Sequence, residues 1–187
     1  MSDTAFAENY LNKLTELLPK LDREKLGETI AKMREVRDND KTIYICGNGG
    51  SASIASQMVV DIVKGASYQK KKRFKMIGLT DSMSTLSAYA NDVGYDIVFL
   101  EPLKNFAVRG DMLITISGSG NSPNVLRAVE YANEVGVTTV GLTTGEGGKL
   151  KDMVNIPLTL PSNHMGHLED SFFIMTHVLC YAFMEAD

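Results

Sequence analysis

The chain of 187 residues has no apolar run long enough to cross a membrane, only two cysteines, no basic excess and no linker-like or low-complexity segment. Each shortage removes a class of function. A membrane span needs about 20 consecutive apolar residues, and nothing here approaches that. The cysteines, Cys46 and Cys180, lie among apolar neighbours and read as buried small hydrophobes. The opening residues Met-Ser-Asp-Thr-Ala carry neither the basic start nor the apolar core of an export signal, so the expected address is cytoplasmic. A formal net charge of −4 argues against electrostatic capture of nucleic acid by the domain as a whole. The one basic cluster, Lys70-Lys71-Lys72-Arg73, precedes a strand and reads as a solvated loop. Neither the dinucleotide fingerprint nor the P-loop pattern occurs, so a nucleotide is not the implied ligand.

What is present is an ordinary globular composition, 44% apolar and 22% charged, in a length that suits one sizeable core. A single domain over 1–187 is expected. Residues 4–20 and 22–37 carry apolar side chains close to helical period, among them Leu14, Leu17, Leu26 and Met33, and predict two amphipathic helices before the first strand. From Lys41 the chain alternates strand and helix. Strands are predicted near 42–46, 74–79, 112–117, 138–143 and 154–160, and helices near 51–64, 122–135 and 167–185, with two shorter helices between Ser82 and Arg109. That rhythm predicts an α/β fold with a doubly wound five-stranded parallel sheet, the α/β core spanning 38–187. The N-terminal pair, 1–37, has no strand to cross over from. It either caps a sheet face or packs against another subunit.

Two glycine-serine runs, Gly47 to Ser51 and Ser117 to Ser122, sit where an apolar strand ends and a helix begins. Glycine lets the backbone approach a ligand closely, and the free N–H groups and positive dipole of the following helix favour an anion. Any tight strand-to-helix turn also collects Gly, Ser and Asn for its own geometry. Two hydroxyl-rich turns at the ligand-binding end of a parallel sheet suggest a small phosphorylated molecule, with Ser51, Ser117, Ser119 and Ser122 as donors. Thr80-Asp81 lies at a third strand end, where Asp81 is expected to cap the helix that follows.

The segments GNGGS, AYANDVGY (88–95), ISGSGNSPNV (116–125) and GLTTGEGGKL (141–150) together resemble the sugar isomerase (SIS) fold family, and most closely its phosphoheptose isomerases. The similarity covers essentially the whole chain and implies the strand order 2-1-3-4-5 for the parallel sheet. It implies a phosphate cradle at Ser117, Gly118, Ser119 and Ser122, with glycine at 118 where these isomerases usually have threonine. It implies further sugar contacts from Asn48, Gly49, Ser51 and Asp92. It implies a homotetramer in which the N-terminal helices form much of the interface and the active sites lie between subunits. The isomerase chemistry would fall to Asp61, matching the family's glutamate, and to His177, with Glu169 as an alternative base. Some members hold zinc, and the positions matching their ligands are Gln57, Asp61, Glu169 and His177. Gln57 and Asp61 share a helix face, and Glu169 and His177 are eight residues apart, so the set could converge on zinc or another divalent ion. His164, His167 and Asp170 are spare candidates, the histidines being expected at the surface. A non-catalytic phosphosugar sensor or scaffold would show the same cradle. What favours an enzyme is the retained acid–base pair.

Overall fold

Five parallel strands form one sheet in the order β2-β1-β3-β4-β5 in the computed structural model, which describes residues 2–186. Met1 and Asp187, the ends of the predicted domain span, lie outside the described residues. The strands are β1 (Thr42–Gly47), β2 (Lys75–Gly78), β3 (Met112–Ile116), β4 (Thr138–Thr144) and β5 (Ile156–Leu160). Because successive side chains alternate across a strand, β1 sends Ile43 and Ile45 to one face and Tyr44 and Cys46 to the other. Both faces are covered, as a parallel sheet requires. On the first lie α2 (Arg23–Asp38), α3 (Gly50–Val60) and α8 (Met165–Met184); on the second lie α5 (Leu100–Phe106), α6 (Pro123–Glu134) and α7 (Leu150–Met153). Between β2 and α5 run α4 (Met83–Asp92) and a short 3-10 turn, Tyr95–Ile97. The short α7, which buries Leu150, was not foreseen. No helix among the described residues is long and apolar enough to cross a membrane. Cys46 and Cys180 are buried and free, and burial pushes both thiols up.

Polar groups tie the strand ends. The buried Asp111 carboxylate accepts the Thr42 and Val108 backbone N–H groups, both at 2.9 Å, and so links the start of β1 to the loop before β3. Asp81 does not cap α4 as expected. Ser82 holds the cap position, and the Asp81 carboxylate accepts the Ser56 hydroxyl at 2.5 Å, binding the end of β2 to α3. The predicted helix over 51–64 is regular only to Val60 and ends in one π-helical turn, Asp61–Gly65. In the basic cluster, Lys72 reaches Asp38 across the surface at 2.7 Å.

The first helix, α1 (Asp3–Leu17), starts at a Ser2 cap, buries only Leu17 and leaves Phe6 and Leu11 in solvent. Its anchor is Tyr10. The phenol donates to Asp170 Oδ2 at 2.6 Å, and the ring packs against His167 with centroids 4.3 Å apart and planes tilted by 55°. His167 is therefore buried, contrary to the surface position expected of it, and its backbone N–H donates to His164 Nδ1, which caps α8. The spare candidates serve as a docking platform for α1. The hydrogen bond to Asp170, helped by desolvation, pushes the Tyr10 phenol up to about 12 from an ordinary 10.0. Folding thus favours the protonated phenol. Its contribution is full below pH 10 and is lost as the pH rises through about 12. Burial and Asp111 push Tyr44 up to about 12 as well. Absorbance titration should show both among the late-ionising phenols, and Tyr10→Phe should remove one of them; an unchanged late phase would mean that the Tyr10–Asp170 bond is not kept in solution.

Candidate active site

The first loop leaves β1 at Gly47 and enters α3 at Gly50 through Gly49, whose φ of +56° is a conformation that side chains rarely adopt. Ser51 is buried in the first turn of α3. The second loop leaves β3 at Ile116. Its Ser117 hydroxyl accepts the Gly120 N–H at 3.2 Å and faces the Ser122 hydroxyl at 3.3 Å, while Ser122 occupies the N-cap of α6 with Pro123 behind it. Ser119 is exposed and accepts the Asn121 N–H at 3.2 Å. A hydroxyl pair, an outward serine and a helix N-terminus whose Ser122 cap makes no side-chain hydrogen bond to it bring donors together at one loop. Gly118 has a local reason. A Cβ there would stand 2.9 Å from the Met165 sulfur, so a threonine would have to displace that exposed, flexible side chain.

The loops are joined. Asn48 and Asn124 exchange side-chain hydrogen bonds at 2.9 and 3.0 Å, and the Tyr95 hydroxyl donates to Asn48 Oδ1 at 2.9 Å. Neither Asn124 nor Tyr95 was foreseen as a site residue. A signal for Asn124 existed: it precedes Ala128 by one helical step and so is a polar group on the buried face of α6. Asp92, expected to face the sugar, accepts from its neighbour Asn91 at 2.8 Å at the end of α4. Its segment reaches the loops through Tyr95.

The acid–base candidates fall into two groups. Gln57 Nε2 donates to Asp61 Oδ1 at 3.1 Å, and Asp61 Oδ2 stands 3.5 Å from His177 Nε2. The Asp61 side chain is 16% exposed and its Oδ2 is buried without a hydrogen-bond partner, whereas His177 is 47% exposed. Glu169 is elsewhere. Its carboxylate packs against the Gly50 backbone, filling the space a side chain at 50 would need. Eight residues of one helix, about 12 Å along the axis, separate Glu169 from His177. The four predicted metal positions are thus brought together as three and one, and no three His, Cys, Asp or Glu among the described residues form a cluster able to hold an ion.

Residues 6–144 match the SIS domain family. Over 158 residues the chain is 37% identical to the phosphoheptose isomerase of Helicobacter pylori (strain Shi470), an alignment covering 84% of this chain and 82% of that protein. Among solved structures it is similar to the phosphoheptose isomerase of Neisseria gonorrhoeae, with a TM-score of 0.84 at 29% identity over 96% of each chain. It is also similar to a phosphoheptose isomerase from Francisella tularensis, with a TM-score of 0.92 at 25% identity over 100% of each.

The packing of Glu169 on Gly50 makes a direct test. Gly50→Ala should lower stability by about 1–3 kcal/mol in thermal unfolding, because the added methyl meets the carboxylate. Most of that cost should vanish in a Glu169→Ala background; an equal cost in both backgrounds would put the collision somewhere else.

Proposed function

The chain belongs to the SIS domain family and, within it, to the phosphoheptose isomerases, and from that premise we propose that it interconverts sedoheptulose 7-phosphate and D-glycero-D-manno-heptose 7-phosphate through an enediol. The observation that carries the reading is that the hydroxyl loop after β3 and the loop after β1, against whose Gly50 the Glu169 carboxylate packs, leave neighbouring strands at their carboxyl ends and are joined by the Asn48–Asn124 pair. The phosphate would lie against Ser117, Ser119, Ser122 and the N-terminus of α6, extending the sugar towards Asn48. From the ketose a base removes a proton at C1 while the C2 carbonyl oxygen gains one. The enediol then takes a proton at C2 and loses one from the C1 oxygen, which gives the aldose with no net gain or loss of atoms. General acid–base groups suffice for this.

We assign these transfers to His177 and a carboxylate, Asp61 first and Glu169 second. The orphaned Oδ2 of Asp61, 3.5 Å from His177, supports a pair kept for chemistry, since a buried carboxylate oxygen without a partner is costly. Within one chain that pair lies along α3 and α8, away from the cradle. Val60 and Val63 beside Asp61, and Val178 and Tyr181 beside His177, are exposed apolar side chains. This supports an assembly, a homotetramer with α1 also in its interface, in which a second copy covers the pair and supplies it to a shared site. The donor set argues against a resident zinc ion: one carboxylate and one imidazole converge beside the Gln57 amide, and Glu169 is a helix segment away. The transfers are accordingly given to side chains alone. Free buried thiols and a formal net charge of −4 fit a cytoplasmic protein that binds a phosphosugar and no nucleic acid.

Purified protein incubated with sedoheptulose 7-phosphate should form aldose. His177→Asn should lower kcat by roughly 10²–10⁴ and spare phosphosugar binding, and comparison of Asp61→Asn with Glu169→Gln identifies the base. Ser119→Ala and Ser122→Ala should each weaken phosphosugar binding by about 1–3 kcal/mol. Binding without isomerisation or solvent-proton exchange would leave a non-catalytic phosphosugar-binding protein. For the assembly, Val178→Lys should dissociate the oligomer in light scattering and abolish turnover; a wild-type monomer that turns over would defeat the shared site.

A further inference from the structure

The two amides that join the loops are 76 residues apart in the chain and face one another as a closed pair: Asn48 Nδ2 donates to Asn124 Oδ1 at 3.0 Å, and Asn124 Nδ2 donates to Asn48 Oδ1 at 2.9 Å. Their orientation follows from the backbone. The Val125 N–H can only donate and lies 3.0 Å from Oδ1 of Asn124, so that atom is the oxygen. The facing atom of Asn48 is then its nitrogen, and the remaining atom is an oxygen that accepts twice, from Asn124 and from the Tyr95 hydroxyl at 2.9 Å. Both lone pairs of Asn48 Oδ1 are spent. One Nδ2–H is left. Asn48 can therefore offer a ligand a donor and nothing else.

We propose that Asn124 and Tyr95 are positioning residues that lock Asn48 as a dedicated donor to the sugar oxygen that gains charge in the enediol step. The proposal rests on the isomerase reading above. Three features carry it. Asn48 is two residues from Gly50, on which the Glu169 carboxylate packs, and its side chain reaches across to Asn124 in the first turn of α6, so the amide lies between the carboxylate and the serine loop that suits phosphate. Asn124 is 2% exposed, so the pair is dry on that side, where amide hydrogen bonds are stronger and costlier to break. Tyr95 begins the 3-10 turn that follows Asp92, and Asp96 beside it pairs with Arg127 of α6 at 2.7 Å, so three segments meet at one carboxamide. A free asparagine could turn its oxygen to the substrate and repel developing charge. A locked one keeps its N–H in place before the reaction begins, which is how a fixed dipole favours a charged intermediate.

The test uses full-length protein, sedoheptulose 7-phosphate as substrate and inorganic phosphate as a competing ligand. Asn124→Asp keeps an acceptor for Val125 but opposes Asn48 Oδ1 with a second oxygen; it should lower kcat by roughly 10–100-fold with inorganic phosphate affinity nearly unchanged. Tyr95→Phe should lower kcat by roughly 3–10-fold, the scale of one ordinary hydrogen bond. In an Asn48→Ala background Tyr95→Phe should have no further effect, because it acts only through Asn48. Additive losses in that cycle, or weaker phosphate affinity with kcat preserved, would overturn the proposal. Should Asn124→Asp not fold, the Tyr95 cycle decides alone, since that hydroxyl is on an exposed side chain. A wild type that binds sedoheptulose 7-phosphate without turnover would sink the isomerase reading; the lock would then be read from sedoheptulose 7-phosphate affinity, with Tyr95→Phe again silent without Asn48.

Discussion

Parallel pairing of β1 with β3, from Ile43 opposite Met112 to Gly47 opposite Ile116, is the constraint on which the site depends. The chain leaves β1, crosses over through α3 to β2 at one side, and returns to β3 at the other, so the sheet order turns between these two strands. Their last residues are register partners. The loops that follow, sixty-odd residues apart in sequence, must therefore emerge side by side, each running into a helix N-terminus. A slip of one residue would exchange Ile43 and Ile45 with Tyr44 and Cys46 between the two cores, and burial on both faces opposes it. The hydrophobic pattern of strands far from any ligand is thus what sets the spacing of the two loops.

Much of this was readable from residue order because strands and helices announce themselves locally. Five apolar strand runs, Gly/Ser turns and amphipathic repeats marked the strands, the helices and the position of both loops, while the strand order came from the family resemblance. What sequence could not show were meetings between distant side chains. Asp81 reads as a helix cap, yet the Ser56 hydroxyl on α3 is within reach and takes it instead. His167 at a helix start reads as surface, but α1 folds back and Tyr10 covers it. The cluster expected of Gln57, Asp61, Glu169 and His177 divides because helical rise outweighs angular proximity: positions close on a wheel stay apart along the axis. Asn124 was hidden for the opposite reason. One asparagine in a helix start is commonplace until its partner is known.

Helix α8 links the two parts of the site. Its first turn presents Met165 over Gly118 and Glu169 against Gly50, and two turns later it brings His177 to Asp61. Movement of this one element would shift the cradle's cover, the carboxylate and the imidazole together. Its position is held by α3 beneath it and by α1 through the Tyr10–Asp170 bond. The N-terminal helix therefore braces the element that carries the candidate carboxylate and imidazole.

Asn48 is followed by Gly49, the neighbour least able to hinder attack of its backbone nitrogen on an asparagine carboxamide. That attack closes a succinimide ring, expels ammonia and ends in an acid, so an unrestrained Asn-Gly pair ages. Closure needs the carboxamide to swing away from Asn124 and Tyr95, breaking all three of the hydrogen bonds that hold it. The network that fixes the amide is thus also its preservative, and the chemical lifetime of the loop is governed by how rarely those bonds open together.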